Sequence, residues 1–386
     1  MDRRLRKAIA GLLSIVVMAA SGGCWDAVEI ENRALVLGLG FDEDAEGRVL
    51  VSAQVPTPTG LMAGIQGGGG ITGKGASSAG AGSGNSFSVQ SEGQTGFEAW
   101  GDLNYRLSRN MDTSQLQAIA IGEHLARSGI AKAVDLLYKT PLIPRSVWVV
   151  YTTDAGLLMA TPGIQESMTS SHVANYFTTA KGVYGTPIPA PLWRFWVLLV
   201  TPWTSAYLPI VTVSGTALHF AGTAIFKGDR LAGLFNDHES AALALLTSQF
   251  RADVVRVSAV GNGAFGIHVT SAGLHLETDL SPEGRPEIRA VVRVRGRVME
   301  MTDWQGKLDP DKLRAVADSL EERLSQDMKD VVRKAQDLGV DPFLFGDLFR
   351  AAGVDSWSPE WWWRVWPEAA FTVKVQAYVQ PGRTTR

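Results

Sequence analysis

The chain of 386 residues contains a single cysteine, Cys24, and that fact sets the terms on which it can fold. No disulfide can form within one copy, so each domain must be held by its own apolar core. The position of the cysteine constrains the chain further. Arg3, Arg4, Arg6 and Lys7 precede an uncharged apolar run from Ala8 to Ala20; Ser21-Gly22-Gly23 follow, and then Cys24-Trp25-Asp26. The apolar run falls short of the ~20 residues a bilayer crossing needs. Residues 1–23 therefore read as an export signal, with basic, apolar and small-residue parts in order. A cysteine at the first mature position is the bacterial lipoprotein arrangement, in which the thiol takes a diacylglycerol and the freed amine is acylated. Two or more chains anchor stably where one is marginal, at ~0.8 kcal/mol per buried methylene. The competing reading is a buried free cysteine beside an ordinary signal-peptide site. The tripartite pattern favours the lipid, and Cys24 is the expected attachment residue.

Composition removes other classes. A hydrophobic content of 45% with 19% charged residues permits ordinary cores. The formal net charge is −3, without a long basic block in the mature part, which argues against a nucleic-acid partner. The most apolar later stretch, Pro191 to Val213, is interrupted by Arg194 and Pro202. It reads as a buried connector or a membrane-surface contact rather than a spanning helix. The expectation is a chain tethered by lipid and otherwise soluble.

Residues 24–190 form the expected first unit. Strands are predicted over 33–42 and 47–55, with a hairpin connection at 44–47. From about Gly60 to Gly96 the sequence is dominated by Gly, Ser, Ala, Thr and Gln, too little apolar surface to offset ordering, and a flexible, disordered insertion is predicted. Phe97 to Leu107 reads as an amphipathic helix with Phe97, Trp100, Leu103 and Leu107 on one face. Strands at 115–122 and 146–151 flank a helix at 123–138. After the connector at 191–213, a second unit covers 214–386. It opens on a hairpin at 222–235 turning at Lys227-Gly-Asp-Arg230. A helix at 239–250, strands at 265–270 and 287–298, the second with alternating Val and Arg, a long helix at 309–338 and a final strand at 370–379 follow. In the long helix Leu313, Val316, Leu320, Leu324, Met328 and Val331 recur at helical spacing as a core-facing stripe. The class is α+β, with mixed α/β units and mainly antiparallel sheets.

Candidate chemistry is weak. Gly38-Leu-Gly-Phe-Asp42 starts like a dinucleotide fingerprint but lacks the third glycine and the following helix. Gly68 to Lys74 has P-loop spacing, yet Gly75 replaces the Ser or Thr that would hold magnesium. The six histidines are scattered, with no metal-ligand pair on a helix. Asp237-His238-Glu239-Ser240 offers acid–base groups that do not face one another, and Ser240 reads as an early helix residue. Neither a catalytic constellation, a cofactor site nor a metal site is predicted. Trp361, Trp362, Trp363 and Trp366 form the densest aromatic cluster; consecutive helical residues point apart, so at least one is expected to meet a partner, another domain or the lipid interface.

Together these segments resemble the Ger(x)C family of spore germination lipoproteins. The resemblance rests on Gly23-Cys24-Trp25-Asp26 with Glu29-Ile30, Asn32, Ala34, Gly38 and Asp42. It continues in Arg109 with Ile121-Gly122-Glu123, Leu125-Ala126, Gly129-Ile130, Asp135 and Arg145. The hairpin Gly222 to Leu234, Asp341-Pro-Phe-Leu-Phe-Gly346, Trp366 and Phe371 complete it. The resemblance implies three small domains and a C subunit of a nutrient germinant receptor, lipid-anchored at the outer face of the spore inner membrane. It implies membrane-spanning A and B subunits as partners and a role in assembly or signalling without enzymatic activity. The alternative class is a solute-binding lipoprotein serving a membrane transporter.

Overall fold

The computed structural model describes residues 32–57, 86–162, 166, 168–179, 187–215, 217–250, 253–258, 264–302 and 309–382. Cys24, the phosphate-loop-like stretch and most of the glycine-rich insertion lie outside them. The class is α+β, built on an eight-stranded sheet, a four-stranded sheet and a small two-stranded ribbon.

The ribbon pairs β1 (Arg33–Leu35) with β5 (Asn110–Asp112) in parallel. An ion pair from Arg33 to Asp112 at 2.7 Å crosses it. The large sheet takes β2 (Gly38–Glu43), β3 (Val49–Pro56), β4 (Ser86–Gly93), β6 (Ala118–Gly122) and β7 (Trp148–Thr152), then β8 (Tyr207–Ser214), β9 (Ala217–Lys227) and β10 (Arg230–Phe235). Their spatial order is β10-β9-β8-β7-β6-β2-β3-β4. The centre is parallel and both flanks are antiparallel, so the sheet is mixed. Strand β6 is apolar and buried along its whole length, and β2 is so up to its acidic end at Asp42-Glu43, as strands covered on both faces are.

Two expectations are corrected here. The flexible stretch predicted over 60–96 ends too late, because Ser86–Gly93 is strand β4 on the edge of the sheet. Its buried positions are Ser86, Ser91 and Gly93, so composition hides it. Helix α1 (Gly96–Arg106) packs so tightly there that a methyl group on Gly93 would strike the Ala99 backbone, and Ser91 Oγ donates to the Ala99 carbonyl at 2.6 Å. The connector expected over 191–213 is instead a helix and β8, which places the second predicted unit's hairpin in the first unit's sheet. Two helical readings also shift. The core face of α1 is Gly96, Ala99 and Leu103, with Phe97 turned outward. The helix predicted over 123–138 breaks into α2 (Glu123–Ser128) and α3 (Ala131–Lys139), because Gly129 adopts φ +133°.

The remaining helices of this half are α4 (Ala155–Ala160), α5 (Thr169–Thr179) and α6 (Leu192–Val200); α7 (Asp237–Leu246) follows the last hairpin, closed by a capping box between Asn236 and Glu239. The four-stranded sheet runs β11 (Asp253–Ser258), β12 (Ala264–Leu280), β13 (Pro286–Thr302) and β14 (Ala370–Gln380). Helix α8 (Pro310–Leu338) covers one face of it with Val316, Leu320, Leu324, Met328 and Val331, the stripe the sequence predicted. Asp309 caps its start and left-handed Gly339 ends it.

Past α8 come α9 (Phe345–Ala351) and α10 (Pro359–Val365). The turn between α8 and α9 is organised by Asp341, which is fully buried. Its carboxylate accepts from the N–H groups of Phe343 (3.1 Å), Phe345 (3.3 Å) and Gly346 (2.9 Å). Its own N–H donates to Ser205 Oγ at 2.9 Å, and its carbonyl accepts from Ser205 N–H at 3.0 Å. Burial pushes the Asp341 carboxyl up to about 6, while the three N–H groups pull the other way. Protonation therefore favours the folded state: this contribution is complete below about pH 4 and is lost as pH rises through about 6. Relative to Asp341→Asn, the unsubstituted chain should gain roughly 1.4 kcal/mol per pH unit on acidification through that window. Denaturant unfolding of both proteins at neutral pH and near pH 4 checks this; a constant difference between them would show that Asp341 does not titrate in that range.

Candidate functional site

In open sheets with parallel strands, ligands bind beyond the carboxyl ends of those strands. Here Asp42, Gly122 and Thr152 end β2, β6 and β7, and both α2 and α4 begin beside them. The crevice is occupied by the chain's own anion. Asp42 accepts from the N–H groups of Glu43 (2.9 Å), Leu125 (3.3 Å) and Ala155 (3.4 Å), so one carboxylate serves the starts of two helices. Burial raises its carboxyl above the ordinary range against those N–H groups. Gly122 has no side chain for a plain reason: a methyl group there would overlap the Asp42 carboxylate. Beside it, burial and the neighbouring Glu123 push the Tyr151 hydroxyl up to about 12. The glycines that resembled a dinucleotide fingerprint have a packing role. A methyl on Gly38 would meet Met159, and one on Gly40 the Ala155 carbonyl.

The other candidate residues do not converge. His172 stacks on Phe220, His275 lies 3.4 Å from Glu277, and His124 is 3.9 Å from Asp42. Among the described residues no three His, Cys, Asp or Glu side chains are placed to hold a metal. Ser240 is a buried helix residue whose hydroxyl accepts from Thr223 Oγ1 at 2.8 Å.

A surface feature stands out instead. Helix α6 is apolar on nearly every side, and such helices belong in an interior. Leu192, Phe195 and Leu198 do enter the core. Trp193, Val197 and Val200, at 53%, 50% and 53% exposure, form a second apolar stripe open to solvent. Trp196 extends it by stacking on Tyr138 of α3 at 4.3 Å between ring centroids, and the Arg145 guanidinium lies over that tyrosine at 4.2 Å. Trp193 N–H donates to the Arg145 carbonyl. A shallow cleft of about 460 Å³ adjoins the stripe, between α3, α6 and the turn at Gly228-Asp229. No helix among the described residues is long and apolar enough to cross a membrane.

The tryptophan cluster reaches the segment that follows α6. Trp361, Trp362 and Trp366 are buried with Phe345 and Phe349. Trp363 faces away from them and donates to the Pro202 carbonyl at 2.7 Å, while Trp203 Nε1 donates to Asp347 at 3.0 Å. The outward tryptophan thus holds the segment that leaves α6. Sequence reading missed the Asp42–Gly122 contact and the split character of α6; the latter's signal was a nine-residue run apolar on all sides. Gly122→Ala should destabilise the fold by roughly 1–3 kcal/mol through overpacking, and Asp42→Ala in the same chain should recover part of that loss. Chemical denaturation of the single and double variants measures both; strictly additive losses would refute the contact.

Residues 26–213 match the family described as Spore germination protein N-terminal domain, and residues 221–381 match Spore germination B3/ GerAC like, C-terminal. YfkR of Bacillus subtilis (strain 168), named for spore germination, is 26% identical over 90% of this chain and 88% of its own length. Spore germination protein KC of the same organism is 24% identical over 98% of this chain and 96% of its own length. Spore germination protein GerQC of Bacillus cereus is 20% identical over 97% and 99%. The crystal structure of the GerBC protein superposes with a TM-score of 0.56 at 17% identity, covering 89% of this chain and 96% of that one, a shared fold. Matched along nearly all of its described length, the chain belongs to the Ger(x)C family of spore germination proteins.

Proposed function

We propose that this chain is the lipid-anchored C subunit of a nutrient germinant receptor, held by Cys24 at the outer face of the spore inner membrane. In this reading it acts without catalysis, in assembly or signalling beside membrane-spanning A and B subunits. The observation that supports the partner role best is the solvent-facing apolar stripe of α6. Exposed apolar surface rimmed by polar residues marks an interaction site, and tryptophan and tyrosine are the side chains most often decisive at such sites. The occupied crevice at Asp42 supports a non-catalytic role, since the helix starts that could take an anionic ligand are already satisfied from within.

Two outcomes are expected. Cys24→Ala should leave the membrane fraction of cells expressing the chain without its partners, as read by fractionation and immunoblot; persistence in that fraction would defeat the anchor. Val197→Glu should abolish co-purification of spanning subunits from detergent-solubilised spore membranes while leaving the melting transition within about 0.5 kcal/mol, because the position is exposed. Undiminished recovery would show that α6 faces no partner. Thermal stabilisation of the full chain by amino acids or sugars, by about 2.7 kcal/mol at a hundredfold excess over the dissociation constant, would instead support a solute-binding lipoprotein.

A further inference from the structure

Among the described residues the four-stranded sheet is covered by α8 on one face, and its other face carries an ordered row of positive charge. From Ile288 to Val298 strand β13 alternates: Ala290, Val292, Val294 and Val298 are buried, whereas Arg289, Arg293, Arg295 and Arg297 are exposed, with half-buried Val291 between the first two arginines. With a rise of about 3.3 Å per residue, Arg293, Arg295 and Arg297 stand roughly 7 Å apart along one line. The register places Gln376, Tyr378 and Gln380 of β14 beside them on one side, and Gly273, Ser271 and His268 of β12 on the other. The row is thus walled by residues without negative charge. Lys374 continues it on β14, and Tyr378 projects at 61% exposure. Arg293 bonds Gln376 at 3.1 Å, and neither Arg295, Arg297 nor Lys374 has an ion pair among the described residues. Acidic groups gather at the end nearest the β12–β13 turn, where Arg289 is engaged by Glu287 at 3.0 Å and Asp279 at 3.5 Å. Glu300 lies beyond the other end, opposite Gly266.

Like charges at this spacing repel, and nothing in the fold needs them. The valines facing α8 already provide the core. We propose that this open face is a docking surface for the anionic headgroups of a phospholipid bilayer. The favoured occupant follows from the distribution of charge. Protein interfaces have an apolar centre depleted of charge and a polar rim; this face has its arginines in the centre and a single exposed aromatic. A broad, groove-free sheet suits a broad planar surface, and basic residues near an anionic leaflet are drawn to it. The inference rests on the proposed membrane association, and gives it a second point of contact besides the lipid. A basic patch is one of the signals that can reinforce attachment by acyl chains.

The test separates the two contacts. The mature chain, residues 24–386 carrying Cys24→Ser so that no lipid is attached, is sedimented with vesicles of mixed phosphatidylglycerol and phosphatidylcholine, and with phosphatidylcholine alone. Binding is expected to the anionic vesicles only and to fall with salt. Each basic residue at such a surface contributes roughly a fivefold gain in partitioning, so Arg293→Gln/Arg295→Gln/Arg297→Gln should lose on the order of a hundredfold. Its melting transition should be unchanged, since all three side chains are exposed. Equal partitioning of the unsubstituted chain onto both kinds of vesicle overturns the proposal, whether or not the triple variant folds. So does binding retained by the folded variant. Arginine-dependent capture of a purified spanning subunit, with no binding to anionic vesicles, overturns it in favour of a protein partner. None of these outcomes depends on Cys24, whose role is read separately from cell fractionation.

Discussion

A buried aspartate, its carboxylate held by backbone N–H groups, ties the helix that covers the four-stranded sheet to the approach to the large one. Asp341 ends the turn after α8, whose apolar stripe covers the four-stranded sheet, and its main chain is bonded at both its N–H and its carbonyl to Ser205 at the approach to β8. Its side chain meanwhile fixes the turn into α9 by satisfying three N–H groups that would otherwise be buried unpaired. The tightness of that turn shows in Leu344, which is held at φ +68°, a left-handed conformation that costs a side chain with a Cβ roughly 1–2 kcal/mol. The tryptophans then gather around the fixed turn: Trp366 donates to the Val340 carbonyl, and Gly346 lies directly against the Trp362 indole.

The same device appears at Asp42. In both places a carboxylate is turned inward onto backbone donors, and burial raises its affinity for a proton. The two sites differ in what they exclude. Asp341 takes the place of a packed side chain at a joint, whereas Asp42 takes the place of a ligand at the ends of parallel strands. That leaves the chain's distinctive chemistry on its outside, in the apolar stripe of α6 and the arginine row of β13.

Much of this was legible in the sequence where periodicity is strong. The heptad-like stripe from Leu313 to Val331 predicts α8 with its core face, and the alternation of valine and arginine predicts β13 and its exposed side. The hairpin turning at Lys227-Gly-Asp-Arg230 is also as expected. Prediction failed where burial is achieved by small residues or by partners far along the chain. Strand β4 buries Ser and Gly, which composition alone cannot distinguish from a loop. Helix α6 looks like a connector because its proline-bounded run is short, and the segment that leaves it is held by Trp363 and Asp341 more than 130 residues later. Asp42 and Gly122 were recognisable as separate signature residues, yet only the fold reveals that the aspartate requires the glycine.

One consequence follows from the order of strands in the large sheet. The two family matches meet between residues 213 and 221, but β9 and β10, which belong to the second match, continue the sheet begun by the first. That boundary therefore runs through a ladder of backbone hydrogen bonds between β8 and β9. Any displacement of β8 is shared by β9 and β10, since the hydrogen bonds of that ladder would have to break before these strands could part.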